Sequence, residues 1–255
     1  MTPRRLELVA LPKIPAVERG DDVAGLVLDG LRRLRRRLKS GDVVVIAQKI
    51  VSKAEGRTVD LATVTPSARA KALARKSDKD PRVVELILAE SSEVLRVRKG
   101  LIVVAHRQGF VLANAGIDQS NVVADGTERA LLLPRDPDAS CRRLRKQLKV
   151  KTGADIAVII NDSVGRAWRL GTVGTALGAA GLPSLLDLRG KPDLFGRILR
   201  VTQVGLADQI ASAAALVQGE AGEGMPIVLV RGFRRFAADQ AAAALIRPKV
   251  EDLFR

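Results

Sequence analysis

Short apolar segments alternate with amphipathic ones along the whole chain, and Gly, Pro, Asn or Asp residues separate them. Apolar runs predict strands, and apolar positions three and four residues apart predict helices. Strands are expected at residues 5–10, 43–47, 101–105, 109–113, 156–160, 197–205 and 226–232, and helices at residues 66–76, 81–91 and 207–218. This alternation, with no linker or low-complexity segment, predicts a globular protein that contains both strands and helices.

Two further helices are predicted to be amphipathic and basic. The first begins at the aspartates at 21–22, ends near residue 40, and carries arginines opposite an apolar stripe at helical spacing. That stripe comprises Val23, Leu26, Val27, Leu31, Leu34 and Leu38. The second begins at Asp136, and its Cys141, Leu144 and Leu148 are expected to face inward. Each helix should therefore pack one face on the core.

Composition excludes several classes of site. Cys141 is the only cysteine and His106 the only histidine, which excludes an intrachain disulfide, a cysteine metal cluster and a multi-histidine zinc centre. No apolar run is long enough to cross a membrane, and the start of the chain lacks the apolar segment of a secretory signal. We therefore expect a cytoplasmic protein with no membrane partner, whose chemistry rests on Asp, Glu, Lys, Arg and backbone groups.

The net charge of +15 is concentrated in residues 32–39 and 142–151, on the two basic helices. The simplest interpretation is a solvated helix face. The alternative is a field that attracts anions, either nucleic acid or small polyanions. Only 2% of the residues are aromatic and none is tyrosine, which argues against stacking on single-stranded nucleic acid. It does not argue against contact with the backbone of a duplex, which stays an alternative to small anions.

Oxygen-bearing side chains follow two of the predicted strands. Residues 109–112 lead to Asp118 and Asn121, and residues 156–160 lead to Asp162 and Ser163. Such side chains suit a hard divalent cation, so the pattern predicts a Mg²⁺ or Mn²⁺ phosphate site. An Asx-type turn or a helix cap is the alternative, because the same side chains also bond their own backbone.

Lys49 and Lys53 form a second candidate site. If the strand at 43–47 continues through residue 53 to a break at Gly56, both lysines lie on one face, because strand side chains alternate with a period of two. Two ammonium groups on one face repel unless an anion lies between them, and a triphosphate would serve. An exposed edge strand carrying lysines is the alternative.

Two glycine-containing segments complete the candidates. Arg166 and Arg169, which suit a phosphate or carboxylate, precede glycines at 171, 174, 178 and 181 that would permit close approach of the backbone to a ligand. Residues 218–225 read as a helix end and an acidic glycine loop, which offers backbone amides and one metal-binding carboxylate or is an ordinary turn. Neither segment matches a P-loop or a dinucleotide fingerprint.

Together these segments resemble the coenzyme F-420:L-glutamate ligases, a family of GTP-dependent enzymes that extend a deazaflavin coenzyme with glutamate. The resemblance runs nearly end to end and rests on residues 11–14, 53–57, 80–88, 114–121, 133–140, 165–171, 207–208 and 230–232. It implies an α+β fold peculiar to the family, with mixed β-sheets and flanking helices, and an intertwined homodimer. Residues 1–255 would form one ligase unit, with two intertwined subdomains without a clear boundary as the alternative. Departures are Asn161 and Ser163, where many members have threonine, and Gln209, where glutamate is usual.

The resemblance also implies roles for individual residues. The implied nucleotide contacts are Leu11, Pro12, Lys13, Ile14, Gln48, Lys49, Lys53, Asn121, Gln218, Gly219, Gly222, Gly224 and Met225, and the implied metal ligands are Asp118, Asp162, Ser163 and Glu220. The cofactors would be Mg²⁺ or Mn²⁺, with K⁺ as a further candidate. GTP, L-glutamate and an acidic deazaflavin precursor would be the substrates.

The expected reaction transfers the γ-phosphoryl group of GTP to a carboxylate of the precursor. The glutamate amine would then displace phosphate from the acyl phosphate. Arg166 and Arg169 are candidates for holding the acceptor or the acyl phosphate. Two rival functions are a paralogous amino-acid ligase acting on a different acidic cofactor, and a basic nucleic-acid-binding protein, which rests on charge alone.

Overall fold

The computed structural model describes residues 5–119, 127–233, 236 and 238–253. Its strands are β1 (Glu7–Ala10), β2 (Val43–Ala47), β3 (Thr58–Asp60), β4 (Ser91–Arg98), β5 (Leu101–His106), β6 (Val111–Ala113), β7 (Arg129–Leu131), β8 (Ala157–Gly165), β9 (Thr172–Ala180), β10 (Leu185–Asp187), β11 (Gln203–Gly205) and β12 (Ile227–Arg231). Its helices are α1 (Val23–Arg33), α2 (Gln48–Ala54), α3 (Ala68–Ser77), α4 (Pro81–Glu90), α5 (Pro137–Thr152) and α6 (Leu206–Gln218). The predicted α+β class is confirmed.

A five-stranded mixed sheet organises the fold, in the order β1-β12-β2-β8-β9. Its central strands β2 and β8 are parallel, with Val43 opposite Ala157 and Ala47 opposite Asn161. The other neighbouring pairs in this sheet are antiparallel. The carboxyl ends of β2 and β8 therefore meet at one edge of the sheet, where open sheets of this kind bind ligands.

Helices cover both faces of this sheet because β2 is apolar at every position and β8 is apolar at residues 157–160. Val44 and Ile46 of β2 face a core shared with α1 and α5, whereas Val43 and Val45 face a core shared with α6. This arrangement follows from the period of two in a strand, since a strand buried on both sides needs apolar residues in succession. Cys141, Leu144 and Leu148 of α5 lie in the first core, as predicted.

Smaller sheets extend the molecule beyond the central one. The sheet β4-β5-β6 and the pair β3-β7 pack with α3 and α4 around a third core that contains Val84, Ile87 and Ile102. β10 and β11 form a separate pair. The predicted hairpin at residues 101–113 and the Asp80 cap of α4 are confirmed, since Asp80 accepts a hydrogen bond from the Arg82 amide. No helix within the described ranges is long and apolar enough to span a membrane.

Several predicted bounds are wrong. α1 ends at Arg33 and not near residue 40, because Arg35 adopts a left-handed backbone conformation, although Leu38 still joins the core. The strand expected at 197–205 is confined to β11, and β4 and β9 were not predicted. β9 is rich in glycine and alanine, which have low strand propensity, and its pairing with β8 outweighs that preference.

The glycines of β9 serve packing. A Cβ atom added at Gly174 would lie 2.4 Å from the Ala211 carbonyl oxygen of α6. One added at Gly178 would lie 2.4 Å from the Pro137 carbonyl carbon of α5. The two glycines therefore let helices approach both faces of β9, so the expectation that they line a ligand site is wrong.

Candidate active site

A cavity of about 550 Å³ lies at the carboxyl ends of β2 and β8. α2 and the loop at residues 219–226 form two of its walls, and the segments at 14–17 and 113–118 complete it. Its volume is in the range of small-molecule sites. Residues from widely separated parts of the sequence therefore meet at the edge of the sheet that favours ligand binding.

Lys49 and Lys53 both line this cavity, but the predicted local structure is wrong. Residues 48–54 form helix α2, not a continuation of β2, because the chain leaves the sheet at Ala47 and buries Ile50 and Val51 in the core below the helix. Residues four apart lie on one face of a helix. The two lysines therefore share a face as predicted, but it is a face of helix α2 and not of a strand. Since β2 lies between β12 and β8, the edge-strand alternative is also wrong.

Lys49 forms an ion pair with Asp118, with 2.5 Å between the Lys49 Nζ and Asp118 Oδ2 atoms. The backbone of Asp118 is fixed by a reciprocal pair of hydrogen bonds with Leu131, of 3.0 and 2.7 Å. Lys53 lies beside this pair, and burial together with the Lys49 charge lowers the pKa of its ammonium group. Positive charge is thus concentrated on one wall of the cavity.

Asp162 and Ser163 lie within β8 itself, and not after its end as predicted, because β8 continues as far as Gly165 against β9. Burial raises the pKa of Asp162 to about 7; the Ser163 amide and Lys49 oppose this shift, and the negative charges of Asp118 and Glu220 add to it. The Ser163 hydroxyl donates a hydrogen bond of 2.5 Å to Glu220 Oε2. Carboxylates from three elements therefore converge on the β8 end.

The loop that carries Glu220 is anchored by a pair of buried amides. The side-chain amide of Asn161 donates a hydrogen bond of 2.7 Å to Gln218 Oε1. The side-chain amide of Gln218 donates to Asn161 Oδ1 at 3.2 Å and to the Pro226 carbonyl at 3.1 Å. Both ends of the Gln218 side chain are thus engaged within the protein. The pairing of Asn161 with Gln218, which are 57 residues apart, left no signal in the sequence.

The donor chemistry of the cleft suits a hard divalent cation. Asp118, Asp162, Ser163 and Glu220 all line the same cavity and offer oxygen atoms only. Among the described residues, no three His, Cys, Asp or Glu side chains are already grouped closely enough to hold a metal ion. The residues thus have the ligand type of a Mg²⁺ or Mn²⁺ site, and Lys49 supplies the positive charge beside Asp118.

The sequence model of the F420-0:gamma-glutamyl ligase family matches residues 12–232. The chain belongs to this family. Three relatives are named coenzyme F420:L-glutamate ligase. The protein of Methanothermobacter thermautotrophicus is 46% identical over 252 residues, 98% of this chain and 99% of the relative. That of Methanopyrus kandleri is 45% identical over 98% of this chain and 97% of the relative, and that of Archaeoglobus fulgidus 41% over the same shares. The resemblance seen in the sequence is confirmed.

Most of the residues that the family resemblance assigned lie around this one cavity. Those in its walls are Ile14, Gln48, Lys49, Lys53, Asp118, Asp162, Ser163, Gln218, Gly219, Glu220, Gly224 and Met225. The lining also includes residues to which the sequence assigned no role, namely Pro15, Ala16, Val17, Ile50 and Ile117. Glu223, which lies in the predicted 218–225 loop, lines it as well. Apolar segments such as 15–17 carry no chemical signal that the sequence alone could reveal.

Six of the other assigned residues do not line this cavity. Leu11 is buried in the first core, and Pro12, Lys13 and Gly222 are near the cavity in sequence but outside its lining. Arg166 and Arg169 are exposed on the turn between β8 and β9, where Arg166 donates a hydrogen bond of 3.1 Å to the Gly171 carbonyl. Asn121 lies outside the described residues.

Proposed function

We propose that this chain is a GTP-dependent ligase that joins L-glutamate to the glutamate-free deazaflavin precursor of coenzyme F-420. The observation that carries this proposal is the convergence of Asp118, Asp162, Ser163 and Glu220 with two lysines of α2 in one cavity. Relatives that cover nearly the whole chain bear the name coenzyme F420:L-glutamate ligase. The cleft offers what nucleotide-driven amide formation requires, namely groups that balance phosphate charge.

Amide formation at neutral pH needs an activated carboxyl group, because a carboxylate does not react with an amine. Transfer of the γ-phosphoryl group to the precursor would give an acyl phosphate and GDP, and attack by the glutamate amine would release phosphate. A divalent cation held by Asp118, Asp162, Ser163 and Glu220 would stabilise charge on the phosphates. In this scheme Lys49 and Lys53 bind phosphate oxygens from the α2 side.

Arg166 and Arg169 are assigned to the acceptor side of the reaction. They follow Asp162 and Ser163 along β8, on the turn that leads to β9. Their guanidinium groups suit a carboxylate or an acyl phosphate. Every reactant is an anion, so the net charge of +15 favours their capture without a nucleic-acid partner.

A second copy of this chain is the proposed protein partner. Large apolar side chains are exposed on the β8–β9 turn and on the segment before β11, among them Leu170, Leu194, Phe195 and Val201 at 98, 91, 91 and 85%. Several large apolar side chains exposed within one short segment, such as residues 194–201, are typical of interaction surfaces. Light scattering of the purified protein should give the mass of a dimer, and Phe195→Asp together with Leu170→Asp should shift it towards the monomer.

The experiment that tests the proposed reaction combines the protein with GTP, Mn²⁺, K⁺, L-glutamate and the precursor. Mass spectrometry should detect a product heavier by one or more glutamate residues, with GDP and phosphate formed in equal amounts for each bond. Parallel reactions contain ATP in place of GTP, or another amino acid in place of glutamate. A product that forms with another amino acid in place of glutamate would favour a paralogous ligase. Absence of nucleotide turnover would contradict the proposal.

A further inference from the structure

A second cavity, of about 360 Å³, lies beside the active-site cavity. Its walls are largely apolar and include Phe110, Leu112 and Leu177, together with Leu245 and Ile246 from the chain's C-terminal part. Three charged residues also line it, namely Asp208, Arg247 and Asp252. The first three belong to one small hydrophobic cluster with Leu133 and Val164. A cavity of this volume with apolar and aromatic walls fits one small planar ring system.

Asp208 is the acidic group on the α6 side of this apolar cavity. Its Oδ1 atom accepts a hydrogen bond of 2.9 Å from the Ala176 amide. Within the part of the chain that the structure describes, that is the only hydrogen bond to the Asp208 carboxylate, so Oδ2 retains its capacity to accept. Burial raises the pKa of this carboxyl group. A half-buried acceptor in an apolar pocket favours a ligand with an N–H donor, because the donor offsets the cost of desolvation.

The two cavities follow each other along the same faces of β6 and β8. On β6, Ala113 lines the active-site cavity and Val111 lines the second one. On β8, Asp162 lines the first and Val164 the second. Residues two apart on a strand share a face and are separated by roughly 7 Å. An extended ligand can therefore lie with one end in each cavity.

We infer that the second cavity binds the heteroaromatic ring of the acceptor, with a ring N–H donating to Asp208, while the acidic tail extends along β6 and β8 towards Asp162. This inference rests on the proposed function, since the acceptor there is a deazaflavin with an anionic tail. The apolar walls match the ring, and the basic and metal-binding groups of the first cavity match the tail. The second cavity would thus select the acceptor and the first would activate it.

Asp208→Asn tests the inference with little change in shape. The asparagine keeps an oxygen for the Ala176 amide and presents an NH₂ group where Oδ2 lies, so a donor faces a donor. Fluorescence titration of the precursor should show affinity at least tenfold weaker than for the wild type, with unchanged GTP affinity. Val111→Trp, at a position that is 41% exposed, should also weaken precursor binding by filling the cavity.

Asp78→Asn is the matched control, because it removes the same charge from an exposed carboxylate that pairs with Lys99. It should leave precursor affinity unchanged. Wild-type affinity in both Asp208→Asn and Val111→Trp, with an active wild-type enzyme, would overturn this inference and leave the proposed function standing. If Asp208→Asn weakens precursor binding but the wild type shows no turnover, the binding site would be supported and the proposed reaction contradicted. A wild-type chain that does not bind the precursor would overturn both.

Discussion

Carboxylates lie at both ends of the parallel strands β2 and β8, but their electrostatic surroundings differ. At the amino end, Asp42 is 2% exposed and receives two hydrogen bonds from the Arg231 guanidinium group, of 2.8 and 2.7 Å, and a third from the Lys39 amide. At the carboxyl end, Asp162 lies near Asp118 and Glu220, whose negative charges raise its pKa along with burial. Arg231 thus compensates the charge of Asp42, whereas burial and neighbouring negative charges disfavour the charged form of Asp162.

This difference separates a structural carboxylate from a candidate functional one. Withdrawing a charge from water is costly unless a partner of opposite charge compensates, and Arg231 provides that compensation for Asp42. Asp118, Asp162 and Glu220 instead bring three carboxylates to one cavity, with Lys49 and Lys53 in its walls. Burial and the two neighbouring negative charges raise the pKa of Asp162, which is typical of a functional carboxylate, and the proposed divalent cation would offset this cost.

The largest expected effect is the loss of turnover in Asp162→Ala and in Asp118→Ala. If both carboxylates are metal ligands, each substitution should lower the rate by more than about 10²-fold. Mutation of a residue that only hydrogen-bonds to a metal ligand already lowers metal affinity or activity about 10- to 100-fold. The free energy of unfolding should be unchanged or higher for Asp162→Ala, because a crowded negative charge is removed. Steady-state rates at saturating Mn²⁺ and urea denaturation measure the two quantities.

Either variant with a near wild-type rate at saturating metal would remove that residue from the site. Loss of cooperative unfolding would instead favour the alternative in which these side chains only stabilise local turns. Asp187→Ala is a suitable control, because Asp187 is an exposed carboxylate that pairs with Arg189. Its turnover should equal that of the wild type.

Asp42→Ala should show the reverse behaviour. Removing Asp42 takes away the charged partner of Arg231, which keeps only its hydrogen bond to the Arg37 carbonyl, and we expect the free energy of unfolding to fall by about 3 kcal/mol. GTP affinity, measured by calorimetry on the folded protein, should stay within about twofold of the wild type. A fall in GTP affinity of more than about tenfold in the folded variant would show that the two ends of the sheet are not independent.

Lys49→Ala and Lys53→Ala test whether the carboxyl end of the strands binds the nucleotide. If both lysines contact the nucleotide phosphates, each substitution should weaken GTP binding by about 1.5–3 kcal/mol, the range for hydrogen bonds to charged groups. Without GTP, the unfolding temperature of Lys53→Ala should hold or rise, because repulsion from Lys49 is relieved. Lys76→Ala, on the exposed face of α3, controls for the loss of one positive charge. Unchanged GTP affinity in both cleft variants would place the nucleotide elsewhere.

The sequence predicts elements whose own residues determine them, and fails where tertiary contacts decide. α4, α5 and α6 carry caps or end signals at Asp80, Asp136 and Gly219, and each was located to within a few residues. Residues 48–54 are too short and too rich in β-branched side chains for periodicity to distinguish helix from strand. The helix forms because the chain turns at the sheet edge and buries Ile50 and Val51.

The candidate site was predictable to the extent that its chemistry lies in short, recognisable segments. Asp162, Ser163 and the two lysines could be selected from residue type and family resemblance, and they do line one cavity. The anchoring of the 219–226 loop by Asn161 and Gln218 could not be, because a buried amide pair has no pattern along the chain. The same is true of the second cavity, whose apolar residues look like core residues in the sequence.

The smallest expected effect concerns Glu90, a carboxylate that is partly withdrawn from water yet paired. Its contact with His106 and its hydrogen bond of 2.7 Å from Arg57 outweigh burial, so the pKa of Glu90 lies below its ordinary value, in contrast to Asp162. A carboxyl group whose pKa is lower in the folded state stabilises the protein at pH values above its unfolded-state pKa of about 4.3. This contribution is lost as the pH falls through the folded-state pKa.

Glu90→Gln should therefore be less stable than the wild type at pH 7 by about 1 kcal/mol. The difference should shrink as the pH falls below about 4.3. Urea denaturation of both proteins between pH 7 and pH 3 measures this difference. A gap that stays constant with pH would mean that Glu90 acts through packing and not through its charge, and pairing would then not explain why the two carboxylates shift in opposite directions.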